Sequence, residues 1–248
     1  MKMAGIDCPK FEVDDETVIW RFMSVERFRQ LLAGELYFAS ASQFGDPFEG
    51  AVTAKESRRR FEALGFSYPA GTEPDTYPSM RAFEDLRRMV KINCWHAAPW
   101  ENVQMWERYL RDGGGVAVQS TVGALKAALR PFRLKPEYGE EQIRVGQVRY
   151  VDYANDEMQD RSMTDVFLHK RIEFSDESEV RAVVSLRVAA EFGVEIPNDG
   201  IIVAVDPREL IRGLRCRRTD LDEARSTVAE FGLEMHVDQS SLDAYPTY

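Results

Sequence analysis

The sequence predicts an α+β fold, a single domain over residues 1–248 with a mixed, mostly antiparallel sheet core and peripheral helices. Three observations predict it. The stretch F-S-D-E-S-E-V-R-A-V-V-S-L-R, Phe174 to Arg187, sets Val180, Ala182, Val184 and Leu186 against Glu179, Arg181, Val183 and Ser185, the period of a strand. Elsewhere helix-spaced apolar runs are interleaved with short strands without the regular alternation of a parallel βαβ sheet. No repeat, low-complexity tract or linker divides the chain.

The elements follow in order. Val18 to Phe22 reads as a first strand, and Ser24 suits an N-cap for a helix carrying Val25, Phe28, Leu31 and Leu32. Gly34 can close that helix in the left-handed conformation before a second strand, Leu36 to Ala39. Gly45-Asp46-Pro47 is a turn signal. Lys55 to Leu64 reads as a charged helix, and Gly65 to Ser79, with four prolines or glycines inside it, as an irregular loop. Met80, Phe83, Leu86 and Val90 resume helical spacing, and Lys91 to His96 is a strand. Met105, Trp106, Tyr109 and Leu110 mark one side of a short helix, which Gly113-Gly114-Gly115 joins tightly to the strand Val116 to Gln119. That triple glycine lacks the lysine and spacing of a phosphate loop.

Thr121 to Leu129 reads as a small helix, and Gly146 as the site of a bulge where the phase of Ile143 and Val145 changes to that of Val148 and Tyr150. Asp156 to Lys170 reads as a helix leading into the two-glutamate strand. A strand–helix–strand extension spans 200–240: Gly200 to Val205, then an Asp206-Pro207 helix start, a helix on Leu221, Ala224, Val228 and Phe231 closed by Gly232, and a strand at Leu233 to Val237.

Composition narrows the function. With 44% hydrophobic and 30% charged residues, the chain has the make-up of a soluble globular protein. Its net charge of −10 argues against strong sequence-independent nucleic-acid binding, which needs a basic surface. Cys8, Cys94 and Cys216 are odd in number and far apart, so they make no disulfide framework and favour a reducing compartment. With His96, His169 and His236 they give no zinc-site spacing, and no metal is expected. The opening ten residues carry no apolar core of signal-peptide length and no run approaches bilayer-spanning length, so a cytoplasmic location without membrane contact is expected.

The candidate reaction centre is the two-glutamate stretch. On a strand, Glu177 and Glu179 project from one side with Arg181 next in line, and two acids on a rigid element can form a reaction centre. The same pattern also suits a solvated strand face with Arg181 balancing the acids.

Three ordered blocks, spanning most of residues 20–187, resemble a bacterial family, the domain of unknown function 2971 group. They are Arg21-Phe22-Met23-Ser24 with L-Y-F-A-S-A-S-Q-F-G-D-P-F-E, then N-C-W-H with M-W-E-R-Y-L and G-V-A-V, then K-R-I-E-F-S-D-E-S-E-V-R. Gly45, Trp95-His96 and Val180 depart from the family's usual Asn, Phe-Ser and Trp. The layout further resembles that of ADP-ribosyltransferases, which place a basic residue on an early strand, a polar residue on a middle strand and a glutamate on a late one.

That likeness implies an NAD-using transferase or NAD glycohydrolase of bacterial defence or toxin type, with NAD as substrate and an unidentified acceptor. Glu179, Glu177 and His96 are then the catalytic candidates, and Arg21, Ser24, Trp106, Tyr109 and Asp46 the residues that contact NAD. Each has a structural alternative: a surface pair for Arg21, a cap for Ser24, core packing for Trp106 and Tyr109, a structural role for His96, and its own turn for Asp46. Two other functions compete. One is a noncatalytic sensing module of a defence system. The other is a Mg²⁺-dependent nuclease using Asp176, Glu177 and Glu179, although Arg181 stands where such enzymes carry a lysine.

Overall fold

A computed structural model describes residues 11–63, 79–110, 114–137, 139–158, 162 and 164–243. The chain opens with β1 (Val18–Ser24), α1 (Val25–Leu32) and β2 (Glu35–Ser40). Next come α2 (Ala54–Ala63), α3 (Ser79–Met89), β3 (Val90–Ala97), α4 (Val103–Leu110) and β4 (Gly115–Thr121). They are followed by α5 (Val122–Ala128), β5 (Arg144–Gln147), β6 (Arg149–Val151), β7 (His169–Arg171) and β8 (Glu179–Ser185). The last described elements are α6 (Arg187–Glu191), β9 (Gly200–Ala204), α7 (Pro207–Leu210), β10 (Gly213–Cys216), α8 (Leu221–Glu230) and β11 (Val237–Gln239).

Nine of these strands form one sheet in which each pairing is antiparallel except that of β10 with β11. The fold is therefore the mixed, mostly antiparallel α+β arrangement expected. Its order is β11-β10-β4-β1-β3-β2-β9, with β8 along the other edge of β3 and β5 beyond it. β6 and β7 make a separate parallel pair.

The feature that positions the site is a fork. β1 meets β3 only at its end, through Ile19 opposite Ala97 and Trp20 opposite His96. β2 meets the same edge at the start, through Ala39 opposite Ile92 and Ser40 opposite Lys91. Between them residues 93–95 have no strand partner on that edge, and side chains take over the backbone's needs. Asn93 donates to the Tyr37 carbonyl at 2.8 Å and accepts from the Trp95 indole at 2.6 Å, while Arg21 donates to the Cys94 carbonyl.

The main core includes Ile19, Val118, Val180, Ala182 and Val184, with α1, α5 and α8 packed on it through Phe28, Leu125 and Val228. Two smaller clusters occupy the opposite face. One holds Phe11, Ile92, Phe167 and Val183; the other joins Trp20 and Phe22 to Met105 and Trp106 of α4. Local signals act as the sequence implies. Ser24 accepts from the Arg27 amide to cap α1, Gly34 follows that helix at φ 85°, and Asp206 caps α7 with Pro207 in its first turn. At Gly115 a Cβ would lie 2.5 Å from the Met23 carbonyl, so only glycine lets β4 lie this close to β1.

Three expectations are corrected. Where 156–170 read as a helix, the described residues hold a single 3₁₀ turn at Asp165–Leu168 and the strand β7. The buried Asp165 carboxylate ties off that turn, accepting from the Ser162 amide and hydroxyl at 3.1 and 2.6 Å. The final strand runs over Val237–Gln239 instead of 233–237. The strand read from Phe174 onward begins only at Glu179; Ile172–Glu177 is 3₁₀ helix. The irregular segment read from Gly65 lies outside the described residues apart from Ser79, which opens α3. Among the described residues no helix is long and apolar enough to cross a membrane.

Candidate active site

The period-two pattern decides which β8 side chains leave the main core. Val180, Ala182 and Val184 belong to it, so Glu179 and Arg181 project from the opposite face of the strand. Glu177 reaches the same place by another route. Ser178 stands at φ 41°, ψ 52°, and among the described residues no other non-glycine residue has a positive φ. The left-handed conformation is unfavourable for an L side chain. It is pinned here because the Ser178 carbonyl accepts from the Ala97 amide at 2.8 Å and the Glu177 carbonyl pairs with His96 Nδ1 at 2.7 Å. The turn thus brings the Glu177 carboxylate beside that of Glu179.

Cations surround both carboxylates. Lys170 donates to Glu179 Oε1 at 2.7 Å and to Glu177 Oε2. Arg181 Nε donates to Glu179 Oε2 at 2.5 Å, and Arg108 bonds the second Glu177 oxygen while reaching Asp176 at 3.2 Å. The Glu179 amide donates to the Tyr150 hydroxyl at 2.8 Å, which fixes the backbone at the start of the strand. Burial pushes the Glu179 carboxyl up, but the Arg181 charge, a hydrogen bond with the Glu177 carboxyl and the Lys170 charge together outweigh it and hold the group well below the usual carboxylate range. Glu177 moves the other way, raised by burial and by Glu179 beside it. Two adjacent carboxyls with opposed shifts can divide the labour, one staying ionised and the other exchanging a proton.

Arg21 of β1 forms the facing wall. Burial presses its pKa down, yet an arginine stays cationic, and among the described residues it makes no ion pair with a carboxylate. A half-buried guanidinium that, among the described residues, bonds a carbonyl and no carboxylate, beside a cavity, is suited to an anion. The cavity holds about 290 Å³ and is lined by Arg21, Cys94, His96, Tyr109, Lys170, Glu177 and Glu179 among others. His96 uses Nδ1 on the Glu177 carbonyl, and Asn102 Nδ2 approaches Nε2 at 3.3 Å. If that amide donates, the ring is the neutral Nδ1–H tautomer. Tyr109 has a half-exposed ring, but burial of its hydroxyl pushes that group's pKa up. Burial does the same to the Cys94 thiol, which makes it a poor nucleophile.

Five of the eight residues singled out in the sequence line this cavity: Arg21, His96, Tyr109, Glu177 and Glu179. The other three lie elsewhere. Trp106 is buried against Phe22, with its indole donating to Glu101 at 3.2 Å, so its ring is core packing. Ser24 is the α1 cap. Asp46 accepts from the Phe48 amide at 3.0 Å and pairs with Arg171 at 3.1 Å, which supports its own turn. Sequence reasoning missed Lys170, Arg108 and the buried partner of Arg181, Glu49. Lys170 and Glu49 stand inside the quoted blocks, but no periodicity joins a residue at 49 to one at 181. Among the described residues no group of three or more His, Cys, Asp or Glu side chains could hold a metal ion.

No family model matches the chain and no curated protein matches it, so the likeness to the domain of unknown function 2971 group rests on its three sequence blocks. Among solved structures the chain is similar to Thermus sp. 2.9 DarT in complex with NAD+, with a TM-score of 0.42 and 12% identity over 94% of this chain and 100% of that one.

Proposed function

We propose that the cavity binds NAD⁺ and that the protein transfers or hydrolyses its ADP-ribosyl group. The observation that supports this most is that a guanidinium from β1 and a carboxylate from β8, 158 residues apart by their numbers (179 − 21), line one cavity. About 290 Å³ lies at the small end of ligand pockets, so nicotinamide and its ribose fill it, the pyrophosphate meets Arg21 at its wall, and the rest of the substrate runs out over the rim.

Arg21 holds the pyrophosphate, where a planar, permanently charged fork fits. Glu179, kept ionised, faces the ribose and stabilises the positive charge that grows on it as the C–N bond to nicotinamide breaks. The bonding electrons leave with nicotinamide. An oxygen nucleophile, from water or an acceptor, forms the new bond to the same carbon and gives its proton to Glu177. Tyr109 offers a ring at the mouth for stacking. Lys170 must yield one of its two carboxylate contacts as the ribose enters.

One observation favours a second reading: Lys170, Arg181 and Arg108 occupy every oxygen of Glu177 and Glu179, as in a static ion-pair network. The site would then be a noncatalytic pocket for an anion at Arg21. The nuclease arrangement has less support, because Asp176 pairs with Arg108 while the Lys170 ammonium bridges the other two acids where a cation would have to sit.

Incubation with NAD⁺, and separately with nucleic acid and Mg²⁺, discriminates the three. The transferase reading predicts nicotinamide release that falls roughly 100- to 1,000-fold in Glu179→Gln. Chelator-sensitive cleavage of nucleic acid in place of that release would establish the nuclease, and neither activity would leave the binding module.

A further inference from the structure

The turn at residues 46–50 reaches the site from behind. Glu49 is 1% exposed, and its carboxylate takes both terminal nitrogens of Arg181, Nη1 at 2.6 Å and Nη2 at 3.1 Å. Arg181 Nη1 also donates to the Phe167 carbonyl at 2.7 Å. Gly50 stands at φ 79°, and a Cβ there would lie 2.3 Å from the Phe167 ring, so the turn can seat itself only with glycine at this position. Asp46 and Arg87 secure the other end, with Arg87 donating to the Ala41, Phe44 and Asp46 carbonyls. The whole turn is built to deliver one carboxylate to one guanidinium.

We infer that Glu49 is a positioning residue for Glu179: by holding both terminal nitrogens of Arg181 end-on, with the Phe167 carbonyl on Nη1, it fixes the plane of the guanidinium and so the direction from which the Nε–H meets Glu179. A guanidinium released from Glu49 would turn two N–H groups on Glu179, the geometry arginine adopts with a single carboxylate. That would draw Glu179 toward the core and take its Oε1 from the cavity. The hold of Glu49 on the guanidinium therefore sets where the cavity carboxylate points. The consequence for turnover rests on the NAD reading above; the coupling of Glu49 to Glu179 does not.

The test compares wild type with Glu49→Gln and, in case that variant fails to fold, with Glu49→Asp, which keeps the buried charge beside Arg181 but is too short to hold both terminal nitrogens. Expected are a fall in kcat for nicotinamide release of roughly 100-fold, the scale of a one-ångström misplacement, a KM for NAD⁺ within about threefold, and a displaced Glu179 carboxyl resonance in ¹³C-labelled protein. An unmoved resonance, or a kcat within about threefold of wild type in either folded variant, overturns the inference. A displaced resonance in a protein whose wild type releases no nicotinamide upholds the coupling and removes the NAD reading.

Discussion

In the proposed function, Arg21 is the side chain on which NAD⁺ binding turns. It lies at the cavity wall, bonded to the Cys94 carbonyl, and among the described residues it has no carboxylate partner. Replacing it by lysine keeps the charge and loses the fork. Arg21→Lys is expected to forfeit about 1.5–3 kcal/mol of binding, a rise in KM for NAD⁺ of roughly tenfold or more with kcat little changed. Steady-state kinetics of nicotinamide release measure both, and an unchanged KM removes Arg21 from the binding site. Glu179 differs in kind, since its neighbours decide its state. Arg181, the Glu177 carboxyl and Lys170 together overcome the burial that would protonate it. Its residue type was legible in the sequence, but its ionisation depends on Lys170 and Arg181, whose geometry no local pattern specifies.

At the scale of elements, the join between the 3₁₀ helix and β8 carries the most consequence. The alternation from Val180 onward identified the strand and the side that joins the main core correctly, because both depend on a local period, although the opposite side is buried as well. The same period carried the reading too far back, through Glu177 to Phe174. What interrupts it is the left-handed Ser178, held by the Ala97 amide from a distant strand. A β-branched residue is far less tolerant of positive φ than serine. Ser178→Val is therefore expected to lose about 2 kcal/mol of stability, whereas Ser178→Gly should fold at least as firmly as wild type within about 1 kcal/mol. Denaturant melts of the two variants check this; equal stability would mean the left-handed turn is not imposed by its surroundings. The helix read across 156–170 failed for a related reason. Asp165 competes for backbone and side-chain donors that a helix would leave to its own carbonyls.

At the scale of the molecule, the cavity exists because the sheet forks. β1 and β2 share one edge of β3 but use opposite ends of it, and the site lies over the residues between them. Strand existence was readable from hydrophobic alternation, and so was the mixed class of the fold. The fork was not, because it is a matter of register between segments separated by dozens of residues. The electrostatics of the assembled site also act on the whole fold. Glu179 has a folded pKa below its unfolded value, so it contributes stability above the unfolded carboxylate range, near 4.3, that is lost as pH falls through the folded value. Melting temperature should drop on acidification below about pH 4.3, with a shallower slope in Glu179→Gln; parallel slopes would show that the folded protein does not hold this carboxylate ionised.

The most direct measurement is a crystal structure of the Glu179→Gln protein with NAD⁺. The pyrophosphate is expected within hydrogen-bonding distance of the Arg21 guanidinium and the nicotinamide-bearing ribose against residue 179, with Lys170 drawn back from one of its contacts. NAD⁺ bound elsewhere on the molecule, or a cavity that stays closed around Lys170 at saturating NAD⁺, would contradict the proposed function.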